Sequence, residues 1–201
     1  MNSTGRNTDL RQRIACEAAR ILADGACQDV QAARRKAAKR LGCKNRRLLP
    51  DHGEIEQALR EHQRLFQGKL QPLALKKLRR LAAEAMAAMA CFNPRLVGPV
   101  LTGTAGPHSK VQLHLFADTP EQVILFLLEQ RIPWQDDEKT LCFKNGEKGS
   151  YPVCRFRAGD AEVELTLFPP EGLRRSPLGP LGDQPLQRAS LSQLQELMRE
   201  G

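Results

Sequence analysis

The sequence predicts an α+β protein, with a basic helical region in front and a mixed sheet packed with helices behind. Three observations carry that expectation. Apolar residues recur at helical spacing through most of residues 1–91, as amphipathic helices require. From Arg95 onward the pattern changes to short β-branched and aromatic runs separated by glycine and proline, which read as strands and turns. The charge divides the same way. Residues 1–95 hold 20 Lys and Arg against 9 Asp and Glu, and residues 96–201 hold 11 against 14. The expected organisation is a basic helical region over 1–70, a core over 71–170, and a Pro/Gly-rich loop with a closing helix over 171–201.

Thr8 is placed to cap a first helix running to about Asp24, with Ile14, Ala18, Ile21 and Leu22 as its apolar stripe and Gly25 as its end. Asp29 caps a second helix to Leu41, closed by Gly42. That helix carries Arg34, Arg35, Lys36, Lys39 and Arg40, followed by Lys44, Arg46 and Arg47. A short connection into a basic second helix is similar to the opening of a helix-turn-helix repressor. The five cations from Arg34 to Arg40 are therefore candidates for nucleic-acid binding. A solvated helix surface is the competing reading. The apolar face is mostly alanine, and a base-reading helix needs polar side chains aimed at base edges. A D-x-x-E arrangement, Asp51 to Glu54, opens the third helix. Ile55, Ala58, Leu59, His62, Leu65 and Phe66 form its expected buried side, with His62 as a core histidine. After Gly68 a fourth helix is expected from about Pro72 to Cys91, through Leu75, Leu78, Ala82, Ala85 and Met89.

The stretch from Arg95 to Phe116 reads as strand, glycine-rich turn and second strand. Val111, Leu113 and Leu115 alternate with Lys110, Gln112 and His114, so the latter three share one face beside the turn Gly103 to Ser109. Thr119-Pro120 and Gln122 open an apolar helix from Glu121 to Gln130. Strands follow at about Leu141 to Phe143, Tyr151 to Arg157 and Ala161 to Phe168, the last two joined at Gly159-Asp160. Trp134 with Asp136, Asp137 and Glu138 reads as an exposed acidic segment without an assigned role. Pro169 to Gln187 is an extended loop holding Arg174 and Arg175, and Ser190 with Gln193 caps a final helix to Glu200.

Gly98, the turn Gly103-Thr104-Ala105-Gly106, Ser109 and Leu113-His114-Leu115-Phe116 together resemble the motif region of the nucleotidyltransferase superfamily, the fold of DNA polymerase β. More narrowly, the chain is similar to a bacterial family of small nucleotidyltransferase-like proteins. The resemblance runs from about Arg13 to Glu196, with its specific motifs between Arg95 and Phe168. It implies a Gly-Ser after the first strand, an Asp-x-Asp pair on the next and a third carboxylate on a later one. Here Pro99 stands in place of the serine, Lys110 and Gln112 in place of the acidic pair, and Glu164 at the third acid. Two carboxylates two residues apart on a strand point the same way and can hold Mg²⁺. A lysine repels that ion, and an amide oxygen binds it weakly.

The expectation is therefore a degenerate nucleotidyltransferase, leaning inactive, that binds a nucleotide, a nucleic acid or a protein partner without a cofactor. Gly98, Gly103, Thr104, Ser109, Lys110, Gln112 and His114 are its candidate ligand-binding residues. Amides around Gly103 and Gly106 would complete an anion nest. One alternative is an active transferase in which Mg²⁺ is held by Glu164 with Asp118 or Glu162. Another is a nucleic-acid-binding protein working through the basic helices. A P-loop and a Gly-x-Ser-x-Gly elbow are both absent from the sequence, which speaks against that kind of kinase or ligase and against a serine hydrolase. His108 and His114 read as turn and sheet residues. Six cysteines without a Cys-x-x-Cys pair, no apolar run of membrane-spanning length and a polar start lead to the expectation of a cytoplasmic protein with reduced thiols.

Overall fold

In the computed structural model, residues 3–27, 29–66, 70–180 and 184–200 are described; Gly68 lies outside them, as does the side chain of Phe66. The chain is α+β, with a helical N-terminal region. It divides into two compact units, one comprising Met1–Gln71 with Gly179–Gln184, the other Pro72–Leu178 with Pro185–Gly201.

The first unit contains α1 (Ser3–Ala23), α2 (Val30–Arg40) and α3 (His52–Phe66). Asp29 caps α2 by accepting from the amides of Gln31 and Ala32, and Gly25 and Gly42 end α1 and α2 at positive φ. Asp51 and Glu54 form a reciprocal capping box, at 2.6 and 2.9 Å. The core of this unit is Ile14, Ala18 and Ile21 of α1 against Ala33, Ala37 and Ala38 of α2 and Ile55, Ala58 and Leu59 of α3. Two expectations are corrected. Thr8 lies inside α1, because no proline stops the polar segment before it from joining the helix. Leu65 is 67% exposed, while Gln63 is buried. The buried stripe follows Ile55, Leu59 and Gln63 at four-residue spacing, which carries it away from Leu65.

The second unit is a five-stranded mixed sheet with helices. Its elements are α4 (Leu70–Ala88, shared at its start with the first unit), β1 (Arg95–Val97), α5 (Pro99–Thr102), β2 (Val111–Phe116), α6 (Pro120–Glu129), β3 (Gln135–Cys142), β4 (Lys148–Ala158), β5 (Ala161–Phe168) and α7 (Leu191–Glu200). The sheet order is β1-β2-β5-β4-β3, and β2–β5 is the parallel pair among the four pairings. One face carries Leu96, Val111, Leu113, Leu115, Cys154, Val163, Leu165 and Leu167 and packs on Leu78, Ala82, Met86 and Met89 of α4, Val123 and Leu127 of α6 and Leu194 of α7. Apolar burial on that face holds the sheet to its helices. The other face carries Gln112, His114, Arg155 and Glu164.

The acidic segment after Trp134 is exposed, as expected, and it is extended. It is edge strand β3, paired antiparallel with β4 from Gln135 to Cys142. Cross-strand pairing outweighs the low strand propensity of its acids. Ser190 and Gln193 cap α7 reciprocally. The Thr119 side chain makes no capping bond to α6. None of the six cysteines is paired, and among the described residues no helix is long and apolar enough to cross a membrane.

Candidate functional site: a buried carboxylate among three cations

The pairings set the open face of the sheet. Gln112 stands beside Glu164 across the parallel β2–β5 pair, and Arg155 stands beside Glu164 across β4–β5. Side chains two residues apart share a face, so Lys110 flanks Glu164 from the β2 side. On the other flank, Lys139 of β3 reaches across β4.

Glu164 is 1% exposed. One of its oxygens takes a short ion pair from the Lys110 ammonium and a bond from Arg155 Nε at 3.2 Å. The other accepts from Lys139 Nζ at 3.1 Å and faces Gln112 Nε2 at 3.5 Å. Burial alone would push this carboxyl up. Lys139 and Lys110 outweigh it and hold the group at about 2, so it is ionised. Arg155 also pairs with Asp137, whose carboxyl is held below its ordinary range by the Glu138 amide and by Arg155. Three cations thus meet two carboxylates. Lys110 remains 20% exposed, Arg155 34% and Lys139 43%, while Glu164 is at 2% by side chain. The acid lies at the bottom and the cations line the rim.

The Mg²⁺ that the resemblance implies does not fit this arrangement. Lys110 places a positive charge on the carboxylate that would have to bind the ion, and both carboxylate oxygens are already engaged. Among the described residues no group of three His, Cys, Asp or Glu side chains is placed to hold a metal.

The remaining candidate residues fall into three groups. Gly98 and Gln112 are packed together: a Cβ on Gly98 would stand 2.2 Å from Gln112 Oε1, and Gly98 has φ +72°. The expected anion nest does not form. The amides of Gly103, Thr104 and Ala105 all donate to the Pro99 carbonyl at 3.0–3.1 Å, and the Gly106 amide donates to Ser109 Oγ at 3.0 Å. The turn closes α5 on itself and spends its donors internally. Thr104 is buried, its hydroxyl 3.0 Å from that of Thr102. His114 is also displaced from the ligand role. It is buried, its ring lies 4.6 Å from that of Phe168, and Nδ1 accepts from Arg188 Nε at 3.0 Å. Burial, then Arg188 and Lys139, hold its pKa well below the ordinary value, so the ring is neutral.

Beyond His114 this face becomes aromatic, with Phe116, Phe143 and Phe168 buried beside Tyr151. Arg188 stacks over Phe116 and Phe168 at 5.2 and 5.0 Å. Its Nη1 donates to the carbonyls of Gly172 and Arg175. Burial, then the nearby charge of Arg95, lower the Arg188 pKa to about 10. Arg175 stacks on Phe143 and pairs with Glu147 at 2.8 Å. Arg175 and Arg188 therefore cover the aromatic end of the face, while the cations at the other end stay 20–43% exposed by side chain.

Sequence reasoning missed Lys139, Arg155 and Arg188. Arg155 was within reach. A two-residue turn at Gly159-Asp160 fixes the register of β4 on β5, and that register sets Arg155 opposite Glu164. In the first unit, the five basic candidates on α2 separate. Arg40 pairs with Glu17 at 2.6 Å, and Arg34 is half-buried and donates to the Pro50 carbonyl. Arg35, Lys36 and Lys39 are exposed.

Comparison with protein-family models finds no match, and neither does comparison with curated proteins. Among solved structures, the chain is similar to the Cid1 poly(U) polymerase with bound MgGTP. The identity is 14% over 58% of this chain, with a TM-score of 0.28. The chain spans 38% of that enzyme's length. A likeness of that size leaves the fold and the site to rest on the residues described above.

Proposed function

We propose that the protein is a metal-independent binder of a phosphate-bearing ligand, a nucleotide by preference, built on a nucleotidyltransferase-like sheet whose cation site has become an anion site. The observation that carries this reading is the convergence of Lys110, Lys139 and Arg155 on buried Glu164. In the pattern that the sequence resembles, carboxylates gather a metal, and the metal meets the phosphates. Here tethered ammonium and guanidinium groups stand in the place of the metal. They neutralise the remaining acid and present surplus positive charge at the rim. An ammonium contacts phosphate as a point charge, while a guanidinium can grip two oxygens. Phosphoryl transfer is not part of the proposal, because no residue pair at the site can hold the ion that stabilises the transferring group. The alternative of an active transferase needs Glu164 as a metal ligand, and its ion pairs speak against that.

Titration with a nucleoside triphosphate tests the reading. The expected affinity is the same in Mg²⁺ as in EDTA, and Lys139→Gln weakens it by about tenfold, the worth of one charged hydrogen bond. Strict Mg²⁺ dependence, or metal-dependent incorporation of nucleotide by the purified protein, would overturn it. The double change Lys110→Asp with Gln112→Asp rebuilds a carboxylate pair beside Glu164 and is expected to raise Mg²⁺ affinity by calorimetry.

A further inference from the structure

The first unit carries positive charge for which its own carboxylates do not account. Glu17 pairs with Arg20 and Arg40, Asp24 with Arg20, Asp51 and Glu54 with Arg11, and Glu56 with Arg60. Asp29 is engaged as the cap of α2. Arg35, Lys36 and Lys39 of α2, with Lys44, Arg46 and Arg47 in the turn that follows, are exposed and have no carboxylate partner among the described residues.

We propose that the exposed face of α2 and the turn after it form a docking surface for the phosphate backbone of double-stranded DNA. The placement on the helix is the first argument. At about 100° per residue, Arg35, Lys39, Lys36 and Arg40 fill a continuous arc of roughly 140°. Ala33, Ala37 and Ala38 occupy the buried side. No acidic residue falls within α2 itself; the carboxylates beside it are Glu17, neutralised by Arg20 and Arg40, and Asp29 at the cap.

The second argument is the kind of polyanion. A membrane surface is disfavoured, because helices that lie on anionic lipid insert large apolar side chains beside their cations. On α2 the exposed face carries Gln31 and the cations, without a large hydrophobic residue. A duplex suits the dimensions. α2 has 11 residues, so it is about 16 Å long, and a helix with its side chains fits the major groove of B-form DNA. The deep, narrow groove of A-form RNA does not admit it. The face is nearly all cation, so phosphate contacts dominate and sequence preference is weak. This surface lies in the helical unit, and the residues that test it are not those of the sheet site.

The test uses the full chain and a fluorescein-labelled B-form duplex of about 21 base pairs, two helical turns. Binding is followed by anisotropy between about 50 and 200 mM salt. Affinity is expected to fall steeply with salt. The variant Arg35→Gln/Lys36→Gln/Lys39→Gln should bind at least tenfold more weakly at low salt. Its log–log salt slope should be shallower by about 2 to 3, the share of three phosphate contacts. Lys44→Gln/Arg46→Gln/Arg47→Gln, which leaves α2 untouched, should weaken binding in the same direction. No binding by the unaltered protein would overturn the proposal. So would unchanged affinity and slope in both variants, or tighter binding to duplex RNA or anionic vesicles than to DNA.

Discussion

Replacing Glu164 with glutamine tests the electrostatics of the sheet site directly. The amide keeps the size of the side chain and removes its charge. In the folded protein the carboxyl sits at about 2, against an ordinary value of 4.5. That difference corresponds to about 3 kcal/mol of stability at neutral pH. Breaking a buried pair usually costs 3–5 kcal/mol because a charge is left stranded. Here the stranded charges are the cations, which are 20–43% exposed by side chain and can rehydrate. A loss of about 2–3 kcal/mol is therefore expected. The sign of the pH dependence follows from a depressed carboxyl. Its contribution is complete above about 4.5 and disappears as pH falls towards 2. Urea unfolding followed by the fluorescence of Trp134, the single tryptophan, just ahead of β3, reads the sheet unit. The gap between the unaltered protein and the variant should be full at pH 7 and should shrink steadily between about pH 5 and 2.5. At pH 7 the variant should also bind nucleotide more tightly, since Lys110 and Lys139 no longer serve an internal anion. Equal stability at pH 7, or a gap that does not change with pH, would refute the reasoning.

Two further perturbations probe the frame around the site. Gly98→Ala should destabilise by about 2 kcal/mol or more, because the new Cβ meets Gln112 Oε1 and the backbone at φ +72° disfavours a side chain. Adding Gln112→Ala should recover the steric part alone, as chemical denaturation of the single and double variants will show. Arg188→Ala removes both the cover of the aromatic end and the donor to His114 Nδ1. The imidazole should then titrate closer to its ordinary 6.5, read by NMR. Its contribution to stability, present above that value and lost as pH falls below it, should diminish with it.

Much of the fold was legible because local chemistry and tertiary structure agree. The Asp29 cap, the Asp51–Glu54 and Ser190–Gln193 boxes and the glycines at 25 and 42 stand where turn and capping preferences put them. The failures have physical causes. The sequence places that strand only from about Leu141, because the acids before it have poor strand propensity; β3 is held by register against β4 rather than by those residues. Leu65 reads as core because a short apolar stripe does not fix the centre of the buried face to better than one side chain either way.

The site was legible by halves, and the division is instructive. Alternation placed Lys110 and Gln112 on one face and a carboxylate at Glu164, but it could not show that the three meet. That juxtaposition depends on the parallel β2–β5 pairing between segments some fifty residues apart. Once they meet, their charges are no longer independent. A buried glutamate without a counter-charge would be a stranded charge of high cost, so the burial of Glu164 and the lysine beside it form one electrostatic unit. Lys139 and Arg155 carry it one charge further than neutrality requires, since three cations stand against Glu164 and Asp137. That one excess charge sits at a rim where the cations are 20–43% exposed by side chain. It is the charge on which the proposed binding of an anion rests.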